Sequence, residues 1–193
     1  ILGYAQILSR DNNLTDQQKN GIRIIHRSGE HLLTLVNDIL DLSKIEADKL
    51  EQFPIEFNFH DFIQDIVDLF KMRAQQQGIT LSYLAFYPLP AVVYADEKRL
   101  RQVLLNLLSN AVKFTHGATG QVTFKVIYDN HRVRFEVEDT GVGIAAEHLN
   151  MIFLPFQQVG NQRQQTEGTG LGLSISKKLV SMMGGRLYVA SLL

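Results

Sequence analysis

The spacing of apolar and polar positions along the chain changes near residue 50, and the two parts predict different architectures. Residues 1–9 (ILGYAQILS) read as the end of an amphipathic helix, which the polar stretch Arg10-Asp-Asn-Asn-Leu-Thr15 interrupts. Thr15 followed three residues later by Gln18 has the form of a capping box, so a second helix is predicted to begin there. Along it Ile22, Ile25, Leu32, Val36 and Ile39 recur at three- and four-residue intervals, with Leu33 and Leu40 widening the stripe. Such a stripe is a seam for a partner helix. Two helices joined by a short loop make an antiparallel hairpin too thin to cover its own apolar faces. Dimerisation into a four-helix bundle satisfies the seam, and packing on the rest of the chain is the alternative. The composition shifts over 49–59 and Pro54 ends the helical pattern. A domain boundary is therefore expected near residue 50, dividing the chain into 1–50 and 51–193.

Beyond the boundary the two periodicities alternate. A helix is predicted from His60 to about Gln77, strand-like runs at Thr80–Tyr87 and Val92–Ala95, and a helix from Asp96, a suitable N-cap, to about Phe114. Gly120–Tyr128 and His131–Glu138 alternate as strands, joined by Asp129-Asn130 as a hairpin turn. A short helix near Glu147–Phe153 follows, with Phe153 and Phe156 expected to seat the base of the next loop on the core. The polar, glutamine-rich stretch from Gln157 to Thr169 leads to a long helix, Leu171–Met183, ended by Gly184-Gly185. Arg186–Ala190 alternates as a last strand.

Bulk composition narrows the function classes. The chain has 193 residues, 45% apolar and 20% charged, which is ordinary globular composition. A formal net charge of −1 gives no reason to expect a nucleic-acid or anionic-membrane partner. The absence of cysteine excludes disulfides and thiolate metal sites and suits a reducing compartment. No apolar run approaches the roughly 20 residues of a spanning helix. None of the six histidines is spaced with a second histidine or carboxylate as a metal pair, so they read as structural or solvated.

Three segments carry chemistry. In Asn106-Leu-Leu-Ser-Asn110-Ala-Val-Lys113-Phe114 the two amides are i and i+4 on one helical face, with Lys113 beside them. Leu100, Val103, Leu104, Leu107, Leu108 and Ala111 are left for the core. Amides and a lysine on one side suit a hard cation held by oxygen beside phosphates held by charge, and a solvated polar face is the plain alternative. Asp139-Thr-Gly141-Val-Gly143 ends a strand, where a carboxylate can hold the amino group of adenine while the glycines admit the base. The same Asp-Thr-Gly string occurs in aspartic proteases, which need two such aspartates in contact, and this chain has one copy. Gly168-Thr169-Gly170-Leu171-Gly172-Leu173 lacks the lysine of a P-loop and the strand and spacing of a Rossmann turn. It remains a glycine loop entering a helix, whose free N–H groups favour phosphate oxygens. The loop before it, Gln157–Glu167, is expected to act as a lid over a nucleotide.

In this order and spacing the segments resemble the sensor histidine kinases of two-component signalling. Asn106–Thr115 is similar to that family's asparagine box, Asp139–Ile144 to its first glycine box, Ile152–Phe156 to its phenylalanine box and Gly168–Leu173 to its second glycine box. Ser28-Gly-Glu-His-Leu-Leu with Asp38-Ile-Leu-Asp-Leu-Ser-Lys-Ile-Glu46 resembles the second helix of its dimerisation domain. The resemblance implies an α+β fold. Its catalytic domain would be a two-layer α/β sandwich with a mixed, mostly antiparallel sheet, as in gyrase, the heat-shock chaperone and MutL, preceded by a dimerising helical hairpin. It implies ATP and Mg²⁺ as cofactors, with Asn110 ligating the metal and Asn106 and Lys113 near metal and phosphates. Asp139 would take the adenine amino group, helped by Gly141 and Gly143, with Phe114 near the base. Gly168, Thr169, Gly170, Leu171, Gly172 and Leu173 would line the phosphates. Gyrase-type relatives carry a glutamate general base where Asn106 stands, and an amide cannot activate water, which suits transfer over hydrolysis.

The implied partners are a second copy of the hairpin and a response-regulator receiver, fused or separate. The implied location is a cytoplasmic domain, attached to the inner membrane only through upstream segments. The family's acceptor histidine sits on the first helix, in a segment expected just upstream of Ile1; His26 and His31 are on the second helix. The family's last hairpin and strand are likewise expected beyond Ser191-Leu-Leu. The sequence as it stands is thus expected to bind ATP without phosphorylating itself. A non-catalytic ATP-binding module that dimerises and signals by lid closure is the second reading.

Overall fold

The computed structural model describes residues 1–11, 13–47, 49–158 and 168–192. The chain divides into two compact units, Ile1–Leu50 and Glu51–Leu193.

In the first unit α1 (Leu2–Leu8) packs against α2 (Asp16–Glu46). Both halves of the capping box form: the Gln18 amide donates to Thr15 Oγ1 at 3.2 Å, and the Thr15 amide donates to Gln18 Oε1 at 2.9 Å. Gly29 marks the contact between the helices, since a Cβ there would lie 2.8 Å from Leu2 Cδ2. The stripe on α2 stays open: Ile25, Leu32, Leu33, Val36, Ile39 and Leu40 are between 45% and 58% exposed. An uncovered apolar row of this length is unusual on a surface that faces only water.

The second unit contains β1 (Ile55–Asn58), α3 (Phe59–Gln76), β2 (Thr80–Phe86), β3 (Val92–Ala95), α4 (Glu97–Phe114), β4 (Gln121–Asp129), β5 (Arg132–Asp139) and α5 (Gly172–Met182). β4 is the middle strand of a three-stranded sheet, parallel to β2 and antiparallel to β5, while β1 and β3 form a separate antiparallel pair. Two of the three pairings are antiparallel, so the architecture is the expected α+β arrangement of helices on a mixed sheet. Buried residues alternate along β4 as Val122, Phe124 and Val126. They meet Phe62, Ile63, Ile66 and Phe70 of α3 and Leu104, Leu108, Ala111 and Val112 of α4 in one core. Leu107, expected in that core, is only half-buried.

One carboxylate at the start of α4 has two tasks. Asp96 is 5% exposed; its Oδ1 accepts the Arg99 amide at 3.0 Å as an N-cap, and its Oδ2 accepts the Phe53 amide at 3.0 Å. The neighbouring Gln52 donates from Nε2 to the Met182 carbonyl at the end of α5, 2.7 Å away. The segment entering this unit is thereby tied to both α4 and α5.

Four local expectations need correction. β1 pairs with β3 (Ile55 opposite Ala95): Ile55-Glu-Phe57-Asn58 alternates apolar and polar, but four residues beside Pro54 are too few to predict a strand. The hairpin between β4 and β5 turns at Asn130 and His131, whose φ values of 49° and 60° give the left-handed backbone of a two-residue turn, one residue later than expected. Glu147–Phe153 forms two short 3₁₀ turns, Ala146–His148 and Met151–Phe153, in place of one helix. Arg186–Ala190 is not a strand: it pairs with none of the described strands, and alternation cannot make a strand without a neighbour.

Candidate functional site

The candidate site is assembled on the C-terminal half of α4. Helical spacing puts Asn106, Asn110 and Lys113 along one side of that helix, and both outer members touch the glycine loop before α5. Asn106 lies against Gly172, where a Cβ would come 2.8 Å from the amide carbon, and its Nδ2 donates to Ser176 Oγ at 2.9 Å. Lys113 Nζ lies 3.2 Å from the position of a Cβ on Gly168, and 4.8 Å from the centre of the Phe114 ring. Asn110 falls between these two contacts.

The acidic turn meets the end of the same helix. Asp139 closes β5 opposite Val122, with its carboxylate exposed and its Oδ1 accepting the Gly141 amide at 2.9 Å. Gly141 packs so closely on the end of α4 that a Cβ would stand 2.6 Å from the Phe114 carbonyl oxygen. Gly143 has φ 70°, and the next amide, Ile144, donates to Ser191 Oγ at 2.8 Å. Gly141 therefore serves close approach and Gly143 serves a backbone turn.

The loop entering α5 is held from both sides. Gly170 has φ 71°, and its carbonyl accepts the Phe156 amide at 3.0 Å. Gln158 Nε2 donates to the Gly168 carbonyl at 2.7 Å. Thr169 Oγ1 accepts the Leu171 amide at 3.1 Å, while the Leu171 side chain is wholly in the core. Phe156 does not seat on the core as expected: its ring is 63% exposed, and its backbone at φ 61° makes the attachment. Phe153 instead lies under Lys177, whose Nζ is 4.6 Å from the ring centre. Most of the anticipated lid, residues 159–167, falls outside the described residues.

Helix capping separates α5 from the other α-helices of this unit and from α2. Thr15, Asn58 and Asp96 cap α2, α3 and α4 with side-chain oxygens, whereas α5 starts at Gly172 with no side-chain cap. The first N–H groups of a helix have no intrahelical acceptor and sit at the positive end of its dipole. At α5 they open beside Asn106, about two turns of α4 away from Lys113. Two other concavities, of about 500 and 480 Å³, are lined by His60, Tyr83, Tyr87 and Leu89 and by Phe53, Asp96, Arg99 and Arg101. Neither includes a residue of these motifs, so the α4 cluster remains the candidate.

Two family models match the chain. Residues 95–192 match the histidine kinase-, DNA gyrase B- and HSP90-like ATPase domain, and residues 1–48 match the His Kinase A phospho-acceptor domain. The chain belongs to the sensor histidine kinases. It is 40% identical to the aerobic respiration control sensor protein ArcB of Escherichia coli K12 over 194 residues, 99% of this chain and 25% of ArcB. The chain thus spans about a quarter of that relative's length. Full-length ShkA in complex with AMPPNP superposes at a TM-score of 0.76 with 37% identity, covering 95% of this chain and 38% of ShkA. The histidine kinase ThkA, solved with the response regulator TrrA, superposes at 0.62 with 26% identity, covering 95% of this chain and 50% of that one.

With the family shown, the protease interpretation of Asp139-Thr-Gly141 is set aside. The Gly141 contact supplies a direct prediction. Gly141→Ala drives a methyl group into the Phe114 carbonyl, a backbone atom that cannot rotate away. The expected cost is roughly 1–3 kcal/mol of stability, read as a lower urea midpoint at unchanged slope. A wild-type midpoint would mean that the turn and α4 are not in contact.

Proposed function

We propose that the second unit binds Mg-ATP on the face of α4 and directs the γ-phosphoryl group to a histidine of the dimerisation hairpin, for relay to a response-regulator aspartate. One observation carries this reading: α4 is met along one side by an uncapped helix start and at its end by a carboxylate-bearing glycine turn. Those are the two ends of a purine triphosphate. Asp139 accepts the amino group of adenine, with Phe114 beside the base and Gly141 and Gly143 leaving room for it. Asn110 offers a neutral amide oxygen, a hard donor of the kind Mg²⁺ takes. Asn106, Lys113 and the backbone of Gly168–Leu173 hold phosphate oxygens, by dipole and by charge. These residues fit a magnesium nucleotide by the chemistry of their donors: an amide oxygen for the metal, a lysine and free helix N–H groups for phosphate, and a carboxylate for the adenine amino group. Bound Mg²⁺ supplies positive charge to the phosphate oxygens. The protein's part is to position the terminal phosphate in line with the acceptor nitrogen and to withhold a general base from water, as an amide at 106 does. The relatives support the reading, since ShkA was solved with AMPPNP and ThkA with a response regulator.

The same proposal covers assembly. The open stripe on α2 pairs two hairpins into a four-helix bundle, and the receiver is fused or separate. The chain acts as a cytoplasmic domain, with any inner-membrane anchor supplied elsewhere in the protein. Among the described residues no helix is long and apolar enough to cross a membrane.

The test is titration with a fluorescent ATP analogue with and without Mg²⁺, followed by incubation with γ-radiolabelled ATP and a phosphoacceptor hairpin supplied in trans. Magnesium-enhanced binding and acid-labile phosphate on the hairpin are expected. Binding without transfer would favour the non-catalytic module, and absence of binding would remove both readings.

A further inference from the structure

We infer that Ser176 is a positioning residue for the phosphate end of the site: its hydroxyl tethers the Asn106 amide and so holds the amide oxygen at the start of α5. The inference rests on the nucleotide-binding reading above and adds a residue outside every motif that led to it. Ser176 lies in α5 one turn after Gly172 and is 2% exposed. Its Oγ accepts from Asn106 Nδ2 at 2.9 Å across 70 residues of sequence.

A hydroxyl can hold either end of a primary amide, so this bond fixes where the amide sits and the helix start decides which end faces it. The amide atom nearest a Cβ built on Gly172 is Asn106 Oδ1; Cγ follows at 2.8 Å and Nδ2 at 3.1 Å. Gly172 is the first residue of a helix whose N-terminus has no side-chain cap. A carbonyl oxygen is stabilised at that positive end, whereas an amide NH₂ is repelled. The flipped amide would put its NH₂ against the helix start, so the electrostatics select the orientation that the Ser176 hydrogen bond then holds in place. Gly172 is then required for a second reason besides phosphate approach, because any side chain there would displace the amide. With the Ser176 hydroxyl removed, the Asn106 amide loses its tether and its oxygen is no longer held at the metal–phosphate region.

A neighbouring serine provides the control. Ser174 is also buried on α5, but its hydroxyl donates to the Leu171 carbonyl at 2.7 Å, a bond local to the helix start. Ser176→Ala, Ser176→Thr and Ser174→Ala are compared with wild type for Mg-ATP affinity, adenosine affinity and thermal midpoint. Ser176→Ala is expected to weaken Mg-ATP by about threefold to tenfold, the worth of one neutral hydrogen bond, with adenosine affinity unchanged. Ser176→Thr restores affinity, Ser174→Ala retains it, and Ser176→Ala adds nothing in an Asn106→Ala background. Equal losses for Mg-ATP and adenosine, or a wild-type response from Ser176→Ala, would overturn the inference while leaving the nucleotide site intact. A wild-type chain that binds no nucleotide would instead overturn the underlying functional reading.

Discussion

Asp139→Asn is expected to weaken binding of an ATP analogue by about tenfold to a hundredfold, the range for losing a hydrogen bond to a charged group. The substitution is nearly isosteric. An Asn oxygen can still accept the Gly141 amide, which Asp139 Oδ1 holds at 2.9 Å, so the turn and its packing on Phe114 should persist. The second position changes from an acceptor to an NH₂ donor, facing the donor amino group of adenine. The loss should therefore be confined to nucleotide binding, with the thermal midpoint within experimental error of wild type. Fluorescence titration beside a melting curve measures both. Unchanged affinity would refute the adenine role, and a collapsed midpoint would show that the carboxylate serves the fold.

Phe124→Ala is expected to destabilise the second unit by roughly 3–5 kcal/mol, the usual cost of emptying a buried aromatic site. Phe124 is completely buried on the middle strand, opposite Tyr83 of β2 and Val137 of β5. Its ring centre is 5.9 Å from that of Tyr83 and 6.3 Å from that of Phe135. Neither ring can fill the vacated space without leaving its own strand position, so a cavity should remain. Because β5 ends in Asp139, a loosened sheet is also expected to weaken nucleotide binding under the proposed function. Urea unfolding followed by far-UV circular dichroism measures the effect, and a loss below about 1 kcal/mol would contradict a rigid core around this ring.

What the sequence made legible was whatever depends on residues close together in the chain. The Thr15–Gln18 capping box and the Asp96 cap are three-residue relationships, and both form. The shared face of Asn106, Asn110 and Lys113 follows from helical periodicity alone. Contacts made over long distances were not legible. Nothing in Ile-Glu-Phe-Asn announces pairing with Val92–Ala95, because strand pairing supplies the stability that four residues lack. Arg186–Ala190 shows the converse, alternation without a pairing neighbour among the described strands. In the site, the glycines were recognisable as a loop, but the reason for each lay elsewhere: Phe114 for Gly141, Phe156 for Gly170, Asn106 for Gly172. Ser176 carried no signal at all, since a serine within an apolar helical run looks like a neutral substitution. The aromatic rings around Pro155 misled for the opposite reason, as hydrophobicity suggested burial where the backbone of Phe156 makes the connection.

The doubly engaged carboxylate of Asp96 makes a mechanical link out of what would otherwise be a simple connector. Tension on the peptide at Phe53 pulls on the same side chain that terminates α4, and Gln52 passes part of any such load to the far end of α5. The start of α4 and the end of α5 are thereby coupled to one stretch of the incoming chain. Force arriving there reaches them together.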